Sequence, residues 1–250
     1  MILPTYEESV NVRRMVDSLL EHLPDVHEII VVDDDSPDGT PDVVREMMSD
    51  VPALRLIHRT EERGLTSAIR DGVLASTGDP VVWMDSDLSM HPSDLPNLLR
   101  AIEDGADVAI GSRFVPGGRD VRDVKFHKLL SVVINWFGRL VLRENVRDCT
   151  SGFIAIRRHA FRNFGWEGDF GEYFIILIQH VVQSKFKIAE IPYTLYSRTV
   201  GESKTATTPL DFFVKGRKYV WTILKLGLRP YRSGAATQAT RAAEGARENR

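Results

Sequence analysis

Asp85-Ser86-Asp87 sets two carboxylates one residue apart, directly after the apolar run Val81-Val82-Trp83-Met84. In an extended or tightly turned Asp-x-Asp both carboxylates can converge on one hard cation of the Mg2+ or Mn2+ kind, which then bridges to a diphosphate. A lone Asp-x-Asp is more often a polar turn; its place at the end of a strand-like run is what points to metal. A second acidic run, Asp33-Asp34-Asp35, leads into Ser36-Pro37-Asp38-Gly39-Thr40. Three adjacent carboxylates repel one another unless a partner compensates them. One of them can accept hydrogen bonds from a nucleobase or ribose, although Ser-Pro-Asp-Gly is equally good chemistry for a solvated turn. Arg63-Gly64-Leu65 opens a helical stretch, where an arginine either faces a phosphate or base or simply occupies a surface loop. No Gly-x-Gly-x-x-Gly follows the first strand, and no Gly-x-x-x-x-Gly-Lys-[Ser/Thr] occurs, so dinucleotide and P-loop readings lose their strongest signals.

Both acidic clusters need elements that bring them together. The first two thirds of the chain alternate short β-branched runs with amphipathic helical stretches. Strands are expected at Glu28 to Asp33, Leu54 to His58, Pro80 to Met84 and Ala106 to Ile110, with Ile2-Leu3 the end of a strand that starts abruptly, as in a slightly truncated N-terminus. Val12, Met15, Val16, Leu19, Leu20 and Leu23 recur at helical spacing, Pro41 follows a good helix start, and Ser67 to Ala75 and Pro92 to Ile102 supply two more helices. Strands alternating with helices predict an α/β fold, a mostly parallel sheet flanked by helices. Ligands of such sheets sit at the carboxyl ends of the strands, where both acidic clusters lie. Further on, helices are expected over Lys125 to Arg143, Gly171 to Gln183 and Pro209 to Leu228, with strands at Ser151 to Ile156 and Phe186 to Ile191.

Composition bounds the function. A chain of 250 residues that is 43% hydrophobic can bury one sizeable core, and a formal charge of -3 argues against a nucleic-acid binder. The single cysteine, Cys149, excludes an intrachain disulfide and fits a reducing compartment. Met1-Ile-Leu-Pro lacks the basic and apolar regions of a signal peptide, and no uncharged apolar run is long enough for a transmembrane helix. From Ser233 onward little can be buried, so a disordered tail is expected over 233–250.

Taken in order, the short motifs form a series: Pro4-Thr5-Tyr6-Glu7-Glu8, Val31 to Thr40, Arg63-Gly64-Leu65, Met84 to Ser89 with His91-Pro92, Gly111-Ser112-Arg113, Asp148 to Phe153, and Arg198 with Gly201 to Lys204. This series resembles the dolichyl-phosphate mannose synthase branch of the GT-A, family 2 glycosyltransferases, from the N-terminus to about Leu228. The resemblance implies one catalytic domain over 1–228, with Asp87, Arg113 and Asp148 in the catalytic centre. It implies a nucleotide-sugar site of Pro4, Tyr6, Glu8, Asp33, Asp34, Asp35, Arg63, Asp85, Ser86, Asp87, Arg198 and Lys204. Mg2+ or Mn2+ would sit on Asp85 and Asp87, with Ser89 where some relatives carry Gln. The acceptor phosphate would meet Arg113, His127 and Ser131. The implied donor is GDP-mannose first, a UDP-sugar second; the implied acceptor is a polyprenyl or dolichyl monophosphate. An acceptor phosphate is already anionic at neutral pH, so inversion at the anomeric carbon rests on in-line positioning and leaving-group stabilisation rather than on a strong base.

Three residues depart from the pattern: Glu7 for the usual Asn, Cys149 for a common Pro, and His127, four before Ser131, for an arginine. Histidine is a conditional cation near neutrality. The alternative within the family is a saccharide or other hydroxyl acceptor, which needs a base, with Asp148 or Glu172 as candidates. A third reading, a non-catalytic nucleotide binder that kept the fold, conflicts with intact Asp85, Asp87, Arg113 and Lys204. Lys204, Lys215, Arg217, Lys218, Lys225, Arg229 and Arg232 face a single acid, Asp211, among Phe212, Phe213, Val220, Trp221, Ile223 and Leu224. Such a basic, aromatic helix over 209–228 suits a membrane interface with anionic lipid, or packs on the catalytic domain as an ordinary amphipathic helix. A peripheral place on the cytoplasmic face of a membrane follows, with or without an anchoring partner.

Overall fold

The computed structural model describes residues 1–122, 125–142, 145–162, 164–168, 171–198 and 209–228, and their side chains outside 125–127 and 209–215. The tail expected over 233–250 lies outside the described residues. In chain order the elements are β1 (Ile2–Thr5), α1 (Ser9–His22), β2 (Ile29–Asp33), α2 (Thr40–Met47), β3 (Leu54–His58), α3 (Leu65–Ala75), β4 (Val81–Trp83), α4 (Leu95–Glu103), β5 (Val108–Ser112), β6 (Arg119–Asp120), α5 (Lys125–Leu142), β7 (Ile154–Ile156), α6 (Glu172–Gln183), β8 (Ile188–Pro192), β9 (Thr194–Leu195) and α7 (Pro209–Gly227).

Seven strands form one sheet in the order β3-β2-β1-β4-β7-β5-β8, and β6 pairs with β9 in a small second sheet. The large sheet is parallel except for β7, which runs antiparallel to β4 and β5. Because successive side chains of a strand point to opposite faces, the continuous apolar runs feed two cores. Ile2, Ile30, Val32, Val81 and Trp83 pack on one face with Ile69 of α3, Leu177 of α6 and Ile223 of α7. Leu3, Ile29, Val31, Val82 and Met84 pack on the other with Val16 of α1, Val44 of α2 and Leu98 of α4.

The strand expected over Ser151 to Ile156 is reduced to Ile154–Ile156, since Gly152 has φ 75 and bends the approach. β7's reversed direction puts its entrance, residues 148–153, at the same sheet edge as the carboxyl ends of the parallel strands. Residue Gly111 keeps that edge tight: a Cβ there would stand 2.5 Å from Cδ1 of Phe153.

Candidate active site

Three loops leave the parallel strands with a residue in the left-handed region: Glu7 (φ 55) after β1, Asp35 (φ 56) after β2 and Leu88 (φ 62) after β4. Left-handed non-glycine residues are costly and tend to gather where function requires them. The loops are tied to one another. The Glu7 amide donates to Ser36 Oγ (2.9 Å), the Glu8 amide to Thr40 Oγ1 (2.9 Å), and Ser86 Oγ to the Pro4 carbonyl (2.8 Å).

The three adjacent aspartates do different things. Asp33 is fully buried and accepts from Thr5 Oγ1 (2.8 Å), the Ser36 amide (2.9 Å) and Ser36 Oγ (2.6 Å), so it closes its own turn. Asp34 accepts from Arg59 Nε (2.7 Å) and Nη2 and from the Gly64 amide (2.7 Å). Arg59, itself buried, also reaches Ser67 Oγ, Asp71 and the Gly64 carbonyl, and so holds the start of α3 against β2. Only Asp35 turns outward, between His58 Nε2 (3.2 Å) and Arg63 Nη2 (3.3 Å). The Arg63 guanidinium lies over the half-exposed Tyr6 ring, 5.6 Å from its centroid. Tyr6, Asp35 and Arg63 thus form an open platform with a ring face, an acceptor and a cation, which suits a nucleobase and its phosphates.

Beside it stand Asp85 and Asp87. Arg198 Nε binds Asp87 Oδ2 at 2.7 Å, with its Nη1 3.9 Å from Glu8 Oε1, and the Ser89 amide donates to Asp87 Oδ1 (2.9 Å). Ser89 is buried, and its carbonyl accepts from the Tyr196 amide. Burial and the charge of Asp87, with Glu8 adding to them, push the Asp85 pKa up to about 7 against the pull of Arg198 and Arg113. Such crowded negative charge fits a divalent cation, which would favour the ionised form. Among the described residues no three His, Cys, Asp or Glu side chains gather in metal-binding geometry. A cation held here would have Asp85 and Asp87 as its nearest carboxylates.

On the far side, Arg113 forks onto Asp148: Nε to Oδ2 and Nη2 to Oδ1, both 2.7 Å, with the Arg113 amide also on Oδ2 (2.9 Å). Both groups are buried. Burial works against the guanidinium's charge, but Asp148, Tyr193 and Asp120 outweigh it and raise its pKa above the ordinary value. Arg113 Nη2 also donates to Thr150 Oγ1 (2.8 Å), which accepts in turn from Asn135 Nδ2 of α5 (2.8 Å). The Cys149 amide donates to Asn135 Oδ1 (2.7 Å). A proline at 149 has no N–H to give, so this departure from the family pattern adds a tie between α5 and the Asp148 loop. Ser131, one helical turn before Asn135, lies 3.5 Å from Arg122 Nη2. His127 falls on α5 with its side chain outside the described residues, and Lys204 lies outside them altogether. Sequence reasoning passed over Arg59, Asp120 and Arg122. Arg59 had a signal, since it directly follows β3 at the ligand-binding edge.

Residues 1–165 match the family described as Glycosyl transferase family 2. A dolichol-phosphate mannosyltransferase of Pyrococcus furiosus is 38% identical over 210 residues, covering 82% of this chain and 58% of the relative, so the chain spans little more than half of that protein. A polyprenol monophosphomannose synthase of Mycolicibacterium smegmatis is 33% identical over 237 residues, 92% of this chain and 86% of the relative. Among solved structures, glucosyl-3-phosphoglycerate synthase of Mycobacterium tuberculosis, in complex with Mn2+ and UDP-glucose, superposes with a TM-score of 0.66 at 20% identity, over 92% of this chain and 78% of that one. That likeness is one of fold, an α/β sandwich with the same GT-A arrangement. With the family match over most of the chain and a relative of one-third identity over nearly all of it, the chain belongs to glycosyltransferase family 2 and is a GT-A glycosyltransferase like the dolichyl-phosphate mannose synthases.

Proposed function

We propose that residues 1–228 form a catalytic unit that moves mannose from GDP-mannose to a polyprenyl or dolichyl monophosphate, with inversion, using Mg2+ or Mn2+. The names of the relatives support the sugar and the lipid. The observation that carries the acceptor assignment is the Arg113–Asp148 fork. A hydroxyl acceptor needs a base, and of the two candidates, Asp148 and Glu172, the one beside Arg113 has both oxygens bound to a guanidinium, in a fully buried site. An acceptor that arrives already ionised needs none.

In this reading Tyr6, Asp35 and Arg63 seat the base and its first phosphate, with Pro4, Glu8, Asp33, Asp34 and Ser86 shaping the loops beneath. Asp85 and Asp87 hold the cation, Ser89 orienting Asp87 through its amide. A bound cation supplies positive charge to the departing diphosphate. Arg198 adds a second cation at the same place, and Lys204 is assigned there on the resemblance alone. Arg113, His127 and Ser131 meet the acceptor phosphate.

A lipid acceptor also calls for a membrane surface. Leu129, Val132, Val133, Trp136 and Leu140 of α5 and Val220, Trp221 and Leu224 of α7 are exposed, with Leu228 just beyond. Exposed Arg139, Arg217, Lys218 and Lys225 accompany them, and α5 has no acidic residue. These features support a peripheral place on the cytoplasmic leaflet, directly or beside an anchoring partner. Among the described residues no helix is long and apolar enough to cross a membrane.

The test is nucleotide release by purified protein with Mg2+ or Mn2+ and geranylgeranyl monophosphate, across GDP- and UDP-sugars. Release that needs metal, GDP-mannose and the lipid phosphate together is expected. Release that ignores the lipid and responds to a saccharide overturns the acceptor assignment.

A further inference from the structure

The acceptor side carries two arginines and two aspartates in alternation. Asp148, fully buried, is forked by Arg113; Arg113 Nη1 is 4.0 Å from Asp120 Oδ2; and Asp120 is forked by Arg122, with Nε to Oδ1 at 3.0 Å and Nη2 to Oδ2 at 2.6 Å. Arg122 Nη2 then points at Ser131 Oγ, 3.5 Å away. Gly118 makes this return of the chain feasible, since a Cβ there would stand 2.8 Å from the Arg113 carbonyl carbon. The four charges cancel. An acceptor phosphate adds negative charge, so it gains most where a guanidinium is released from its carboxylate.

The two pairs differ in how readily they can open. The inner pair is braced: the Asp148 amide donates to Glu190 Oε1 (3.1 Å), and the Arg113 side chain is 4% exposed. Of the outer pair, Asp120 ends β6, a strand of two residues, Arg122 lies in the loop beyond it, and the Arg122 side chain is 25% exposed. When Arg122 turns away, Asp120 keeps a cation in Arg113 Nη1. Breaking the inner pair instead would leave a charge stranded in the interior.

Building on the lipid-phosphate reading, we propose that Arg122 grips the acceptor phosphate together with Ser131, and that Asp120 is its resting counterion. The chain carries His127 where its relatives' pattern has an arginine, and Arg122 supplies the permanent cation at this edge. A guanidinium offers phosphate a fixed fork of donors that a neutral imidazole lacks.

Steady-state kinetics with GDP-mannose and geranylgeranyl monophosphate test this. Arg122→Ala should raise the acceptor KM roughly ten- to a hundredfold, with the donor KM and the thermal midpoint unchanged, and Arg122→Lys should recover part of the loss. Asp120→Asn should move the other way, lowering the acceptor KM about threefold or more, because the competing carboxylate is gone. The double variant Asp120→Asn/Arg122→Ala should behave like Arg122→Ala. An Arg122→Ala acceptor KM equal to wild type, in an enzyme that still mannosylates the lipid phosphate, overturns the role of Arg122 and leaves the proposed function standing. An Asp120→Asn gain that persists without Arg122 overturns the counterion role by assigning the effect to Arg113. Wild-type protein that never uses the lipid phosphate overturns both readings.

Discussion

Asp33, Asp34 and Asp35 are indistinguishable as letters, and backbone direction separates them. Asp33 is the last residue of β2 and points into the loop it closes, Asp34 faces Arg59 across the edge of α3, and Asp35 is swung out by its left-handed backbone. The acidic run at the end of a strand was legible; its division of labour was not, because it depends on Arg59, 25 residues away in sequence. Glu7 is the opposite case. Its departure from the usual asparagine is visible in the sequence, and its φ of 55 gives that departure a cost. Asparagine tolerates the left-handed region better than glutamate. Glu7→Asn should therefore stabilise the fold by about 0.5–1 kcal/mol and raise the thermal midpoint by about 1–4 °C, with turnover retained. A lowered midpoint in differential scanning fluorimetry would count against backbone strain at Glu7.

Among the elements, long apolar runs with clear periods were legible to within a residue or two. The direction of β7 was not, because a three-residue run reads the same either way and its orientation is set by β4 and β5. Strands β6 and β9 were missed for a similar reason: two residues carry no period. How the early elements are stapled comes from Glu28, at the foot of β2. Its carboxylate accepts from the Thr77 and Gly78 amides, the Thr77 hydroxyl and Arg55 of β3, joining β2, β3 and the loop before β4. Burial alone would raise its pKa, but those donors outweigh burial and hold it at about 2, against 4.5 ordinarily. A depressed folded pKa means stability present above the unfolded value and lost as pH falls through the folded one. The Glu28 contribution is therefore full above about 4.5 and disappears towards about 2. Glu28→Gln should cost on the order of 2–3 kcal/mol at neutral pH. In urea unfolding the gap between variant and wild type should close as the pH drops through that window. A gap independent of pH would mean that Glu28 acts through packing alone.

Across the whole molecule, the platform of Tyr6, Asp35 and Arg63, with Asp85 and Asp87 beside it, comes from the loops after β1 to β4, and the Arg113–Asp148 region from the loops after β5 and before β7. They meet at the three-residue pairing of β4 with β7. The exposed stripe on α5 escaped sequence reading because its apolar residues ring the helix broadly. Only packing shows that Ile134 and Asn135 turn inward while Val132, Val133 and Trp136 stay out. If that stripe meets lipid, Trp136→Ser/Trp221→Ser should weaken co-sedimentation with phosphatidylglycerol-containing vesicles roughly tenfold or more. Turnover of a short, soluble acceptor should persist, and unchanged sedimentation would remove the α5–α7 face from the membrane.

The bond from the Cys149 amide to Asn135, with its neighbour from Asn135 to Thr150, ties α5 directly to the Asp148 loop, so that the helix has the outward stripe on one side and that loop on the other. Two binding equilibria coupled through one helix are thermodynamically linked, and linkage is reciprocal. Whatever factor a bilayer adds to acceptor affinity, bound acceptor must return to bilayer affinity. On the proposed reading, with a bilayer on one side of α5 and a lipid phosphate on the other, the enzyme lingers at the surface while its lipid substrate is plentiful and lets go as that substrate runs out.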